Sequence, residues 1–233
     1  MNDLPEIIRQ ISIISIPVLL AITLHEAAHG FVANKLGDPT AKHLGRLTLN
    51  PIAHIDIFGT ILIPIFLFIS TGFVIGYAKP VPVNFANLRH PKRDMVYVAG
   101  AGPGVNLLLA LACGILFRVI LYFFPAHTLS SSSQFGNGLT ASILVPLLLM
   151  LIAGVKWNVL LALFNMIPIP PLDGGRVMVG LLPDAQSRFL SQLEPFGFLI
   201  VMFLVFMNPF GIMSHIFHPL LQGITTGILG VRI

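Results

Sequence analysis

Long uncharged stretches constrain this chain more than any other feature of its sequence. Only 9% of its 233 residues are charged and 55% are hydrophobic, and the mean hydropathy is +0.90. An ordinary soluble domain carries roughly 25% charged residues, because charge has to cover its surface. A soluble domain is therefore excluded, and we predict an all-α polytopic membrane protein.

About 20 apolar residues are needed for a helix to cross the hydrocarbon core of a bilayer. On this criterion we expect about five or six membrane helices, over residues 7–35, 57–78, 95–124, 139–164, 189–207 and 212–229. The second stretch has basic flanks on both sides and ends in the proline-broken sequence GYAKPVPVN. Because cytoplasmic loops collect Lys and Arg and proline interrupts helices, we interpret residues 57–84 as a half-helix with a re-entrant extended loop. An ordinary span is the alternative.

The whole chain, residues 1–233, is expected to form a single membrane-embedded domain. Its core lies at about residues 7–176 and is followed by C-terminal helices at about 189–229. The net charge is only +4 and no basic run is interleaved with aromatic residues, so we expect no nucleic-acid partner. The single cysteine, Cys113, can form neither a disulfide within the chain nor a cysteine-based metal site. Any metal would have to be bound by histidine and carboxylate.

Two histidines lie four residues apart in the first apolar stretch. His25 and His29 share one face of a helix and can present both imidazoles to a single zinc ion. Glu26 lies on the adjacent face, where it can reach a metal-bound water. This H-E-x-x-H arrangement is typical of zinc peptidases. Since ionisable groups are costly inside a membrane helix, a metal site is favoured over a polar network that only braces helices.

A third ligand is needed, because a catalytic zinc site has three protein ligands and one open position. Of the remaining acidic residues, Asp173 follows an apolar span in an unusual sequence, NMIPIPPLDGGR. Its prolines end the helix and force extended backbone, and its glycines permit a tight turn. Such a segment can hold a carboxylate rigidly at a helix end. A loop that merely terminates the helix is the alternative.

These motifs together resemble the site-2 protease family of intramembrane zinc metalloproteases, peptidase family M50. The resemblance runs from about Leu24 to Arg176 and is carried by HEAAHG, NPIAH, GYAKPVPVN, AGPGVN and NMIPIPPLDGGR. The chain is similar to the short bacterial and archaeal members that lack PDZ or CBS domains. It departs from the family pattern at Gly102-Pro103-Gly104, where Ala-Gly-Pro followed by a larger residue is more usual.

The resemblance implies roles for the residues of the two main motifs. His25, His29 and Asp173 would bind one Zn2+ per chain. Glu26 would be the general base that activates the zinc-bound water.

The same resemblance concerns two further residues. Asn165 matches the family's asparagine that helps to hold the substrate strand. His54 recurs in the short members; it could hydrogen-bond a metal ligand or lie near the bound water, or it could be an ordinary surface-loop histidine.

The implied activity is that of a zinc metalloendopeptidase that cleaves transmembrane segments of membrane proteins, in regulated intramembrane proteolysis. The implied partners are a transmembrane protein substrate and the lipid bilayer. The implied location is the cell membrane, as a multi-pass protein with its active site toward the cytoplasmic side. Two alternatives stay open: a membrane metal transporter that uses His and Asp ligands, and a non-catalytic membrane scaffold that binds zinc structurally.

Overall fold

The structure is a computed structural model that describes residues 4–63, 66, 78–125 and 139–231. Within these ranges the chain is all-α and has no strand, which confirms the predicted fold class. The helices are α1 (Leu4–Leu36), α2 (Thr40–His43), α3 (Pro91–Phe123), α4 (Leu139–Asn165), α5 (Asp173–Leu181), α6 (Asp184–Gln192), α7 (Glu194–Met207) and α8 (His218–Leu229). Short 3-10 turns occur at Pro51–His54, Phe85–Asn87 and Pro209–Gly211, and π-helical turns at Ile57–Leu62 and Met213–Phe217.

Three of these helices are long and apolar enough to cross a membrane. They contain the candidate spans Ile8–Leu36, Pro91–Phe123 and Ser142–Asn165. Helices α6 and α7 meet at a bend of 69° and would provide a fourth span if counted as one. The described residues therefore contain three or four candidate spans, and the expected count of five or six is not confirmed.

The stretch interpreted as a half-helix and a re-entrant loop is described in part. Ile57–Leu62 forms a π-helical turn, and residues 78–84 have no regular secondary structure. Residues 64, 65 and 67–77 lie outside the described residues. The re-entrant path itself therefore stays a prediction.

The chain clusters into two compact units. The first unit is drawn from Met1–Ala21, Asn106–Met166 and Phe196–Ile233, and the second from Ile22–Val105 and Ile167–Pro195. Helices α1 and α3 each contribute one part to the first unit and one part to the second. The single-domain organisation expected from the sequence stays a prediction.

The first unit is built around an apolar core between α3, α4 and α8. Small residues let these helices approach closely, as is common for helices packed in lipid. A Cβ atom on Gly154 would lie 2.8 Å from the sulfur of Cys113, so α3 and α4 touch at that point. The buried core residues are Ala110, Phe117, Leu148, Leu151, Val155, Val159 and Leu229.

Two buried asparagines provide the polar part of this first unit. The side-chain amide of Asn106 donates to Oδ1 of Asn158 at 2.7 Å and to the carbonyl of Ala21 at 3.2 Å. Asn158 in turn donates to the carbonyl of Gly154 at 2.8 Å. Both asparagines are almost fully buried, and these bonds satisfy polar groups that would otherwise be costly in an apolar interior.

The second unit packs the C-terminal part of α1 against a non-helical segment, residues 79–84, and the start of α3. Its apolar core is formed by Ala33, Leu88 and Val98, with Val83 packed against them. The guanidinium of Arg46 donates to the carbonyls of Lys79 and Pro80, at 3.0 and 3.3 Å. This unit contains every residue of the metal centre described next.

Candidate metal centre

The two histidines of the H-E-x-x-H sequence meet on one face of α1, as their spacing predicts. The Nε2 atoms of His25 and His29 are 3.1 Å apart, and the rings are nearly perpendicular, at 83°. Both residues are buried. The helix therefore directs two imidazole nitrogens toward one point.

Asp173 completes this arrangement from the first turn of α5. The prolines before it prevent α4 from continuing, and the chain turns through a hydrogen bond from the N–H of Leu172 to the carbonyl of Ile169. Gly175 is required here, because a Cβ atom would collide with the backbone of Ile169 and Pro170. The carboxylate is only 12% exposed, and Oδ2 lies 3.1 Å from Nε2 of His25 and 3.3 Å from Nε2 of His29.

The tautomer of His29 follows from its second ring nitrogen. Nδ1 lies 2.7 Å from the backbone carbonyl of Val98. A carbonyl can only accept, so Nδ1 of the neutral ring carries the proton and Nε2 carries the lone pair. A hydrogen bond of this kind is the usual way in which a metal-binding histidine is oriented.

The three converging atoms fit a zinc ion. Zinc binds histidine nitrogen and carboxylate oxygen at about 2.0–2.2 Å in a tetrahedral arrangement, which places two ligand atoms about 3.3 Å apart. The observed separations are 3.1, 3.1 and 3.3 Å. Among the described residues no donor is aligned with the buried Oδ2 of Asp173. A metal ion bound by these three atoms alone would have its fourth tetrahedral position open, which is the arrangement of a catalytic site.

Helix α3 supports this centre with its main chain. A Cβ atom on Gly102 would lie 2.5 Å from Nε2 of His29 and 2.6 Å from Nε2 of His25, so only glycine leaves this space free. Pro103 follows inside the helix and lacks an N–H, which removes the helical hydrogen bond to the carbonyl of Ala99. This contact of Gly102 was not predicted from the sequence, although the Gly-Pro-Gly sequence departs from the family pattern.

Glu26 is held by the non-helical segment. Its Oε2 accepts a hydrogen bond from the N–H of Val81 at 2.8 Å. Val81 stands between Pro80 and Pro82, neither of which has an N–H. Between residues 80 and 82 the N–H of Val81 is therefore the one backbone donor, and it bonds to the carboxylate of Glu26.

The other two predicted site residues do not join the cluster of ligand atoms. His54 is buried, and its Nε2 pairs with the carbonyl of Thr48 at 3.0 Å, while its Nδ1 has no hydrogen-bond partner among the described residues. It is therefore not an exposed loop histidine. Asn165 donates to the carbonyl of Leu161, one turn earlier in its own helix, at 3.0 Å. Its role toward a substrate stays a prediction.

Sequence reasoning missed Arg176, which follows Asp173 by three residues and so lies on the same face of α5. Its guanidinium bonds to Oε1 of Glu194 at 3.1 Å and lies 5.2 Å from the centre of the Phe85 ring. These contacts fix α5 next to the 3-10 turn that follows residues 79–84. The i, i+3 spacing from Asp173 was the available signal.

Asp38 is a second ionisable residue that the sequence analysis did not single out. It is fully buried. Burial alone would raise the pKa of its carboxyl, but hydrogen bonds from Thr40 and Asn87 and from the N–H of Asn84 lower that pKa below its ordinary value of 3.8. The carboxylate is therefore charged at neutral pH and is stabilised by its donors.

The family of the chain agrees with this geometry. A family profile described as "Peptidase family M50" matches residues 13–208, which is most of the chain. The chain therefore belongs to peptidase family M50. The match includes the two histidines, Asp173 and Glu26.

Individual relatives carry names of the same kind. The chain is 39% identical over 214 residues to a protein of Bacillus subtilis named "Putative zinc metalloprotease YwhC", which covers 92% of this chain and 88% of that protein. It is 31% identical to proteins named "Putative zinc metalloprotease Rip2" of Mycolicibacterium smegmatis, over 189 residues, and of Mycobacterium tuberculosis, over 192 residues. Those matches cover 80% of this chain and 64% of each relative. No solved structure matches the chain.

Proposed function

We propose that this chain is a zinc metalloendopeptidase that cleaves transmembrane segments of membrane proteins, in the manner of regulated intramembrane proteolysis. Membership of a peptidase family supports the reaction class. The names of the relatives support the metal. The position of the histidines inside a candidate membrane span, Ile8–Leu36, supports a substrate that lies in the bilayer.

One observation carries the proposal: three potential ligand atoms, two ring nitrogens and one carboxylate oxygen, lie within 3.3 Å of one another, and the residue that follows His25 is a glutamate. We infer that His25, His29 and Asp173 bind the zinc ion. When bound, zinc supplies a Lewis acid that polarises the peptide carbonyl and lowers the pKa of water. Val98 and Gly102 support this arrangement, the first by orienting His29 and the second by leaving room.

Glu26 is proposed as the general base. The N–H of Val81 holds Oε2, which leaves Oε1 as the oxygen that takes a proton from the attacking water. The same carboxylic acid then returns the proton to the leaving amine, so the group ends the cycle ionised. Its place next to His25 on α1 brings it close to the ligands without making it one of them.

The substrate has to be extended before its peptide bonds can react, because helical amides are occupied by their own hydrogen bonds. We propose that residues 76–84 provide the edge along which an unwound substrate strand pairs, and residues 78–84 of this stretch are non-helical. The contact between Val81 and Glu26 supports this, because a strand lying along the segment would pass close to the base. Pairing of this kind is strand addition to an exposed edge.

We place the protein in the cell membrane with its site toward the cytoplasmic side. His29 precedes Lys35 by six residues, a rise of about 9 Å along the helix, so the site would lie a short distance from the basic end of α1. Basic residues gather at cytoplasmic ends of spans. A short wet path from that side would supply water to the site.

The test compares cells that express the natural chain with cells that express Glu26→Gln. New protein termini inside transmembrane segments, identified by mass spectrometry of membranes, should occur with the natural chain and fall by roughly 10²–10⁴-fold in the variant. Zinc content of the purified variant should stay at one ion per chain, because Glu26 is not a ligand.

Asp184→Asn is the matched control, since Asp184 is an exposed carboxylate whose partner is Lys92. It should leave both cleavage and zinc unchanged. Persistent cleavage by the Glu26→Gln variant would contradict the proposal. Uptake of zinc into vesicles that contain the purified protein would favour the transporter instead, and a site with four protein ligands would favour the structural scaffold.

A further inference from the structure

The carboxylate of Asp38 has a set of contacts that the proposed chemistry does not yet use. Oδ2 accepts from the N–H of Asn84 at 2.7 Å. Oδ1 accepts from the side-chain amide of Asn87 at 3.0 Å and from the N–H of Thr40 at 3.1 Å, and the hydroxyl of Thr40 also donates to it. One buried carboxylate thus joins the end of α1 to the last residue of segment 79–84 and to the turn that follows it.

The backbone fixes Asp38 relative to α1. The helix ends at Leu36, and Gly37 follows with a positive φ of 116°. The N–H of Asp38 then bonds back to the carbonyl of Ala33 at 2.9 Å, which is the Schellman arrangement of a helix end. Asp38 is therefore a rigid extension of the helix that carries Glu26.

The segment 79–84 contacts the same helix at several points. A Cβ atom on Gly30 would lie 2.9 Å from a methyl carbon of Val81, so this side chain packs directly on the helix backbone. The N–H of Val81 bonds to Glu26, and three residues later the N–H of Asn84 bonds to Asp38. Two carboxylates associated with α1 thus hold the segment at two places, about 10 Å apart along an extended chain.

The sequence of the segment makes its register matter. A shift by one residue in either direction would place Pro80 or Pro82 opposite Glu26, and proline has no N–H to donate. Such a shift moves the chain by about 3.3 Å. Only the observed register therefore gives Glu26 its donor while Asn84 remains bonded.

We propose that Asp38 is a positioning residue for peptide hydrolysis. By holding Asn84 and Asn87 at the end of α1, it keeps residues 79–84 in the register that presents the N–H of Val81 to Glu26. This inference rests on the proposed function, in which Glu26 is the base and the segment is the substrate edge. The described hydrogen bonds of Asp38 are to Thr40, Asn84 and Asn87 rather than to the metal ligands, so it acts through the segment.

The test uses Asp38→Asn, which keeps the size of the side chain but turns one acceptor into a donor that faces an N–H. The matched control is Asp94→Asn. Asp94 is also fully buried in the second unit. It accepts from the N–H of His90 at 2.9 Å and pairs with Arg93 at 3.1 Å, so within the described part of the chain its bonds are to the start of α3 and not to residues 79–84. Both variants lose a buried carboxylate, but we expect only Asp38→Asn to disturb the register of residues 79–84.

Three measurements are made on the purified full chain in detergent. Cleavage of fluorescein-labelled casein reports activity, elemental analysis reports zinc, and hydrogen exchange of the peptide covering residues 79–87 reports the register. Asp38→Asn should cleave at least tenfold more slowly, keep one zinc per chain and exchange the amides of Val81 and Asn84 faster. Asp94→Asn should stay within about twofold of the natural chain and show unchanged exchange in that peptide.

Each other outcome is decisive. Natural cleavage or unchanged exchange in Asp38→Asn would overturn the inference, and so would loss of zinc, because the residue would then act on the metal centre as a whole. If Asp38→Asn does not fold, Asn87→Ala is used instead, because it removes a single donor to the same carboxylate. It should lower the cleavage rate by a smaller factor and speed hydrogen exchange in residues 79–87. Unchanged exchange in Asn87→Ala would count against the inference. Glu26→Gln is assayed in parallel: its full activity would contradict the proposed function itself, whereas an inactive Glu26→Gln beside a fully active Asp38→Asn would contradict the role of Asp38 alone.

Discussion

The two compact units bury different kinds of polar side chain. Within the described residues, the first unit buries the neutral side chains of Asn106, Asn158 and Thr225. The second unit buries one neutral side chain, that of Thr23, and in addition five ionisable ones. The ionisable side chains are those of His25, His29, Asp38, His54 and Asp94.

This difference indicates that the buried polar groups of the first unit serve packing, whereas the buried ionisable groups of the second unit serve the candidate site. A neutral amide needs only one or two hydrogen bonds to be tolerated in an apolar interior, and the Asn106–Asn158 pair provides them. A buried charge is far more costly and is kept where several donors or a metal offset that cost. In the second unit, two of the ionisable residues converge with Asp173, and Asp38 holds the segment next to Glu26.

The largest expected effect is in the second unit. Asp173→Ala removes one of the three proposed ligands, so zinc affinity should fall by more than about 100-fold, beyond the loss typical of residues that only support a ligand. Elemental analysis after dialysis against a chelator should find little zinc, while Asp184→Ala should keep one ion per chain. If Asp173→Ala kept one zinc ion per chain, the contrast between a packing role in the first unit and a metal-binding role in the second would lose its basis.

Gly102→Ala should have the next largest effect. The added methyl group would lie within 2.6 Å of both histidine rings, so they have to shift, and we expect zinc affinity to fall by roughly tenfold. Competition with a chromogenic chelator measures this. Gly100→Ala and Gly104→Ala are matched controls, because a Cβ atom at either position meets open space. If all three variants bind zinc with the same affinity, the proposed close contact between Gly102 and the histidine rings is wrong.

In the first unit, Asn158→Ala should act on stability and leave zinc unchanged. It removes the acceptor for Asn106, which should cost about 1–3 kcal/mol and lower the Tm in detergent by roughly 2–12 °C. Asn165→Ala is the comparison, since its amide donates to the carbonyl of Leu161 in its own helix and its loss should cost less. Loss of zinc from Asn158→Ala would contradict the division between packing and chemistry.

The smallest effect concerns pH. The pKa of Asp38 is lowered from 3.8, so its contribution to stability is complete above that value and is lost as the pH falls through its lower folded value. The Tm difference between the natural chain and Asp38→Asn should therefore shrink as the pH falls below about 4. The difference for Asn158→Ala, which lacks a titrating group, should not shrink in this way, and a parallel decline in both would refute the assignment.

Local spacing predicted the part of the site that lies on one helix. His25 and His29 had to share a face of α1 because a helix repeats every 3.6 residues, and the structure brings their ring nitrogens together. Asp173 could be proposed because prolines and glycines surround it, but its distance to the histidines depends on the fold. The all-α class followed from composition.

Contacts between distant parts of the chain could not be predicted in the same way. Glu26 meets Val81 across 55 positions of sequence, and Asp38 meets Asn84 across 46. No periodic pattern encodes such pairs, because they depend on the path of the chain between them. The prolines at 80 and 82 predicted a non-helical segment but not its partner.

The predicted stretch 189–207 illustrates a different difficulty. Hydropathy averages over a window and gave one span, whereas the structure divides the region between α6 and α7 with a 69° bend. Helix α6 begins at Asp184 directly after Pro183, a start signal that the search for long apolar stretches did not consider. Helix α3 likewise begins at Pro91 rather than at residue 95, because charged residues in its first turn lie outside the apolar window.

Helix α3 contacts the candidate metal centre in two ways: the carbonyl of Val98 bonds to His29, and Gly102 has no side chain where the two histidine rings approach it. Neither is a side chain, so no truncation can remove either of them. Alanine scanning, which shortens side chains, would therefore not detect these two contacts of α3. At Gly102 alanine is an enlargement, and here the protein is vulnerable to one added carbon atom rather than to anything taken away.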